Sequence, residues 1–228
     1  VTWKPDYCTS AELKAYVRIP DTDTEDDAQV ALAVTAASRA IDRATNRQFG
    51  TTTTAVDRFY TAEFQPGHRR QRGVNELVFT VAPVPGLLGP HGHWAVEIDD
   101  IMDDTGLAVH YDTNGDGTYP LAVTDYRLTD INAAADGKPW TGLRFGPAAD
   151  VHAVEFGVKV TAIFGWAAVP DTIKNAALLQ GSRLLSRRDS PYGVAGSPEA
   201  GTEIRLLPKL DPDVALMVRP YYRWWGAR

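Results

Sequence analysis

The spacing of apolar residues changes twice along this chain. From Val30 they recur as Val34, Ala37, Ile41 and Ala44, at intervals of four, three, four and three. That is one stripe along a helix of 3.6 residues per turn. From Thr51 the helical interval is lost. Short runs of strand type replace it, first Val56, Arg58 and Tyr60 alternating with Asp57 and Phe59, last Val158, Val160 and Ala162 alternating with Lys159, Thr161 and Ile163. After Val169-Pro170-Asp171 helical spacing returns with Ile173, Ala176, Ala177, Leu179, Leu184 and Leu185. A helix with one apolar stripe gains most of its stability by covering that stripe against another element. The stripe Val30, Val34, Ala37, Ile41 is therefore expected to face Ile173, Ala177 and Leu184. The predicted fold is α+β: a split helical domain of about four helices over residues 1–50 and 166–228, with an antiparallel β-rich domain inserted over 51–165.

Punctuation residues set the element ends. Thr9-Ser10-Ala11-Glu12 fits a capping box, so a short helix is predicted from about Ser10 to Arg18. Ile19-Pro20 ends it, because the residue before proline is pushed out of the α region. The acidic run Asp21–Asp27 suits the start of a second helix, expected over Asp23–Asn46. Arg39, Asp42, Arg43 and Arg47 lie mostly off its stripe. Strands are predicted near Val56–Tyr60, Leu77–Val81, Ala95–Ile101, Leu107–Tyr111, Tyr119–Val123, Tyr126–Leu128, Leu143–Phe145 and Val154–Phe164. Pro170 suits the first helical position of a third helix, with Asp171 in its first turn and Arg183, Arg187 and Arg188 toward its end. Ser190–Gly201 reads as a loop without periodicity, disordered alone or ordered by a partner. Asp211-Pro212 starts a short fourth helix, which Pro220 ends or kinks.

Composition excludes several classes. A net charge of −6 over 228 residues is wrong for a protein whose whole surface binds nucleic acid, though not for an acidic channel through which DNA slides. No stretch approaches the uninterrupted apolar run of a membrane span. The opening VTWKPDYC has no basic region followed by an apolar stretch, so no secretory signal is read there. Cys8 is the only cysteine, and an intrachain disulfide is impossible.

Candidate chemical sites are few. Asp112, Asn114 and Asp116, in Asp112-Thr113-Asn114-Gly115-Asp116-Gly117, match the start of a calcium loop, where alternate oxygen ligands and a turn glycine suit a hard cation. The twelfth position is Val123 instead of a bidentate Glu, and the flanks read as strands. A β-turn held by Asx hydrogen bonds is the favoured reading, with Asp125 able to supplement a cation site. His91 and His93 lack a third ligand at recognisable spacing. His68, Arg69, Arg70 and Arg72 form a basic run suited to a phosphate or to solvent. Asp99-Asp100 and Asp103-Asp104 are expected as solvated turn carboxylates. Gly181-Ser182 sits inside a predicted helix without the G-x-S-x-G elbow, and no phosphate-cradling glycine loop occurs. Nothing marks Cys8 as a nucleophile. The run Tyr221-Tyr222-Arg223-Trp224-Trp225 is either core or an interface anchor, since Tyr, Trp and Arg dominate binding hot spots.

Four stretches carry a family resemblance: TSAELKAYVRIPDTDTEDDAQVALAVTAASRAIDRATNRQF, DTNGDGTYPLAVTDYRLTDINAAADGKPW, FGWAAVPDTIKNAALLQGSRLLSRRDSPYGVAGSPE and LDPDVALMVRPYYR. In these the chain resembles the head–tail connector (head-to-tail adaptor) proteins of long-tailed bacteriophages, in particular the longer versions from phages of actinobacteria. The resemblance rests on extended pattern and contains no catalytic signature. Small family members are essentially the helices alone, so it says little about Thr51–Gly165. It implies a structural virion protein at the capsid–tail junction, made in the host bacterial cytoplasm. It implies a ring, generally dodecameric, under the portal protein, with a downstream head-completion or tail-terminator protein below and double-stranded DNA passing through the lumen. No enzyme activity and no cofactor are expected, calcium being the one alternative. Contacts to neighbouring chains are expected from Ser190–Gly201 and the tail, with Tyr192, Tyr221, Tyr222, Trp224 and Trp225 as anchors. Two other classes stay open: a calcium-assisted β-sandwich binding module, for example for a surface glycan, and a hydrolase lacking a recognisable motif.

Overall fold

In the computed structural model, the described residues are 3–66, 92–188, 194–195, 204–205 and 210–224. The chain divides into two compact units, one of Val1–Gly50 with Ala168–Arg228 and one of Thr51–Ala167. Among the described residues there are four α-helices and two antiparallel four-stranded sheets, an α+β fold.

Helix α1 (Ser10–Val17) begins where its cap demands. The Glu12 N–H donates to Thr9 Oγ1 at 3.2 Å and the Thr9 N–H donates to Glu12 Oε2 at 2.8 Å, which satisfies two otherwise unpaired helix-start donors. It ends at Arg18 in the left-handed region, φ 63°. Helix α2 (Asp27–Thr45) starts four residues later than the acidic run suggested. The intervening residues turn instead: Asp23 Oδ1 accepts the Glu25 N–H, and the buried Lys14 ammonium reaches the Asp23 carbonyl at 2.6 Å and the Asp27 carboxylate. Asp side chains that bond nearby backbone compete with the helix.

Val30, Val34, Ala37 and Ile41 are buried along α2, and α2 packs on α3 (Asp171–Arg188), whose Ile173, Ala176 and Ala177 are fully buried. Each Val or Ile so buried contributes roughly 1.5–3 kcal/mol. Leu184, expected in the same seam, is only half-buried. Helix α1 packs on both. A Cβ added to Gly181 of α3 would sit 3.0 Å from Leu13 Cδ2 of α1, so this glycine permits the close approach. Helix α4 (Pro212–Val218) lies on α3 and α2 and is fixed at its start: Asp211 caps the Asp213 N–H at 2.9 Å and accepts Arg183 Nη1 at 2.9 Å, while its own N–H donates to Gln180.

In the β unit, β1 (Val56–Tyr60), β8 (Val158–Ala162), β4 (Ala108–Tyr111) and β5 (Leu121–Ala122) form one sheet in the order β1-β8-β4-β5. The second sheet has the order β2-β3-β7-β6, from β2 (Glu63–Pro66), β3 (Gly92–Ile101), β7 (Trp140–Phe145) and β6 (Tyr126–Thr129). Register places Val109 opposite Val160, Tyr111 opposite Val158 and Val96 opposite Leu143, all buried. Alternation of this kind puts one face of each strand into the core. Strand β8 starts later than expected because residues 154–157 turn, with Phe156 at φ 52° and the Gly157 N–H on the Val154 carbonyl.

Asp99 and Asp100 are not solvated turn residues. Both lie in β3. Asp100 is 3% exposed and accepts Trp166 Nε1 at 2.8 Å; Asp99 accepts the Tyr60 hydroxyl at 2.9 Å and pairs with Arg58. Each carboxylate has polar partners, which is what burial of a charge requires. The segment read as a loop contains β9 (Val194–Ala195), paired antiparallel with β10 (Ile204–Arg205) of the same chain. The predicted strand Leu77–Val81 and the basic run at His68, Arg69, Arg70 and Arg72 lie outside the described residues.

Candidate interface at the carboxyl-terminal tail

A 3₁₀ turn at Arg219–Tyr221 follows α4, with Pro220 inside it, and at Tyr222 the backbone becomes extended, φ −62° and ψ 132°. Extended backbone sends successive side chains to opposite sides. Here the alternation is inward for Tyr221 and Arg223, outward for Tyr222 and Trp224. The Tyr221 ring stands edge-on to Phe49 at 5.6 Å, and Phe49 stands edge-on to Tyr7 at 5.5 Å. Arg223 is 6% exposed; its N–H donates to the Thr45 carbonyl at 2.9 Å and its carbonyl accepts Asn46 Nδ2 at 3.4 Å. The tail backbone is thus pinned to the end of α2, where Asn46 adopts φ 52°. Tyr222 and Trp224 are 38% and 81% exposed and stack edge-to-face at 4.9 Å. Of the five anchor candidates, Tyr221 is held against its own chain and Tyr222 and Trp224 face outward. Tyr192 and Trp225 lie outside the described residues.

The aromatic seat rests on a buried polar cluster. The Tyr7 hydroxyl donates to Asp42 and accepts the Phe49 N–H at 3.1 Å, and Arg39 Nε lies 3.2 Å from the Asp42 carboxylate. Burial, then the Asp42 hydrogen bond, drives the Tyr7 phenol far above its ordinary range. Burial also raises the Asp42 carboxyl, against the lowering effects of the Tyr7 hydroxyl and Arg39. The folded chain therefore holds the Asp42 proton more tightly than the unfolded chain. This group favours folding most below the ordinary carboxyl value of 3.8, and its contribution declines as pH rises through the raised folded-state value. Asp42→Asn is expected to flatten that decline, read as the urea midpoint against pH between acid and neutrality.

Two exposed leucines of the helical unit escaped the sequence reading: Leu32 on α2, 70% exposed, and Leu216 on α4, 68% exposed. Leu32 could have been found, because it is an apolar residue off the Val30–Ile41 stripe.

The other candidates resolve as follows. The Asp112 carboxylate is filled by backbone donors: Oδ1 accepts the Asn114 and Gly115 N–H at 3.1 and 2.7 Å, and Oδ2 accepts the Gly117 N–H at 2.7 Å. Gly115 and Gly117 take φ of 75° and 83°, conformations that favour glycine. Burial opposes ionisation of Asp112, but these three N–H donors outweigh it and hold the carboxyl below its ordinary range. Asp116 accepts from Thr118, and Asp125 accepts the Ala148 N–H. The arrangement is a tight turn. Among the described residues no group of three or more His, Cys, Asp or Glu is placed to hold a metal. Micromolar calcium is expected to leave the melting temperature unchanged. A large rise that Asp112→Ala abolishes would restore the calcium reading. His93 lies in β3, where burial and then Arg144 lower its pKa; His91 lies outside the described residues. Cys8 is buried, and burial first, then Glu12 and Asp6, pushes its thiol up to about 11, far from a ready thiolate. Gly181-Ser182 is interior to α3, with the Ser182 hydroxyl on the Leu179 carbonyl. No described helix is long and apolar enough to cross a membrane.

No protein-family model and no curated protein sequence matches this chain.

Proposed function

We propose that this chain is a structural virion protein that forms a dodecameric ring beneath the portal of a long-tailed bacteriophage, joins capsid to tail and extends the DNA channel. The observation that carries the reading is the tail: its backbone is locked by Tyr221 and Arg223, and it presents Tyr222 and Trp224 outward as a preformed aromatic pair. Such a pair meets a partner at little ordering cost. The resemblance supplies the partners: the portal protein above, a head-completion or tail-terminator protein below, and further copies of this chain to each side. A closed ring requires heterologous contacts whose rotation closes. Double-stranded DNA passes without sequence-specific contact, for which a net charge of −6 is suitable. The protein acts as a virion component, not as an enzyme, and needs no cofactor. Imaging of mature virions with a label on this chain tests the reading: a ring of label at the neck is expected, and virions lacking the chain there overturn it.

A further inference from the structure

The turn at residues 112–118 contains two dipeptides prone to the same covalent damage. Asn114-Gly115 and Asp116-Gly117 are exposed, and glycine leaves the following backbone nitrogen unshielded by a Cβ. In deamidation the Gly115 nitrogen gives its proton to hydroxide and attacks Asn114 Cγ. A C–N bond forms, the Cγ–Nδ2 bond breaks and ammonia leaves, taking a proton from water. Water then opens the five-membered succinimide to aspartate or isoaspartate. At Asp116 the same attack by the Gly117 nitrogen expels water, and rehydration gives the isomer. Neither reaction changes an oxidation state.

One carboxylate engages both attacking nitrogens. Asp112 Oδ1 accepts the Gly115 N–H and Oδ2 accepts the Gly117 N–H, each at 2.7 Å. The electrophiles are held as well. Asn114 Nδ2 donates to Asp116 Oδ2 at 2.9 Å, and Asp116 Oδ1 accepts the Thr118 N–H at 2.8 Å. We propose that Asn114 and Asp116 are latent succinimide sites and that Asp112 is the lock that protects both. Attack needs the glycine nitrogen to leave an anionic acceptor, lose its proton and turn toward the neighbouring Cγ. The anion also opposes formation of the negatively charged amide nitrogen beside it. The Asp116 carboxyl, held below its ordinary range by the Thr118 hydroxyl and N–H and by Asn114, is kept in the ionised form, which is the poorer electrophile. This inference is independent of the proposed function.

The test ages the full chain at neutral pH and quantifies isoaspartate at positions 114 and 116 by peptide mapping, with circular dichroism reporting the fold. Folded parent protein is expected to convert roughly tenfold more slowly than the same chain unfolded in urea, a factor comparable to losing one charge-assisted hydrogen bond. Folded Asp112→Ala is expected to lose that protection. If this variant does not fold, Asp112→Asn serves instead, because its amide cannot accept with both atoms. Equal rates in folded and unfolded parent, or parent-like rates in a folded Asp112 variant, overturn the assignment.

Discussion

Phe49→Ala is expected to lower the unfolding free energy of the helical unit by about 3–5 kcal/mol, the range for emptying a buried aromatic site. Phe49 is fully buried and lies edge-on between Tyr7 and Tyr221. Removing it takes away the apolar area and two aromatic contacts, each worth about 0.5–1.5 kcal/mol beyond burial. The Phe49 N–H also donates to the Tyr7 hydroxyl, so a shift of this turn disturbs the Tyr7–Asp42 cluster. The measurement is a urea titration followed by circular dichroism. A midpoint unchanged from the parent would show that the ring is not part of the core. Phe49→Leu keeps most of the volume and should cost much less.

On the proposed function, Tyr222→Ala combined with Trp224→Ala is expected to do the reverse, costing only about 1 kcal/mol of stability while abolishing assembly. Trp224 is 81% exposed, and Tyr222, 38% exposed, has the Trp224 ring beside it. If they anchor a neighbour, each truncation costs about 2 kcal/mol or more of binding, and a single loss of that size weakens one contact by more than about tenfold. The proposed ring would repeat the loss at every copy. Phage carrying the double substitution should accumulate filled heads and free tails, scored by electron microscopy and plaque titre. The same result is expected on deleting residues 224–228. Normal titre from either variant counts against the proposed function.

Helix ends were legible where one side chain settles a local contest. Thr9 with Glu12 and Asp211 with Pro212 both set helix starts at the positions their chemistry requires. Where two local outcomes are close in energy, the sequence misleads. The run Asp21–Asp27 favours a helix start through the dipole, yet Asp23 bonds the Glu25 N–H and Lys14 of another helix holds the Asp23 carbonyl, delaying α2 to Asp27. Strand β2 (Glu63–Pro66) was missed because Glu63, Gln65 and Pro66 carry little strand signal; pairing with β3 sets it. Asp99 and Asp100 were misplaced for a related reason. Two adjacent acids resemble a turn until their partners, Tyr60 and Trp166, are brought in from distant positions.

The candidate site was legible only as composition. An aromatic run at the tail signals burial or binding without choosing between them. The choice is made by backbone geometry: the extended segment after Arg219–Tyr221, pinned to Thr45 and Asn46, sorts alternate residues inward and outward. The turn at 112–117 was readable in its glycines and Asx residues. That Asp112 alone serves three N–H groups was not, because the signal is a set of hydrogen-bond partners and not a residue pattern.

The β unit begins and ends at a stapled neck. Thr51 bridges Gly165, the Thr52 N–H donates to the Phe164 carbonyl at 2.8 Å, and the Phe164 N–H donates to Thr52 Oγ1 at 3.0 Å. The strand leaving residue 50 and the strand returning toward residue 168 therefore run side by side. Pulling those two points apart loads this short ladder in the unzipping direction, together with the bonds that the Gly165 N–H and Trp166 Nε1 make to Asp100 on the returning side. Insertions or losses in the loops beyond this ladder therefore leave the spacing between the unit's own entry and exit points unchanged.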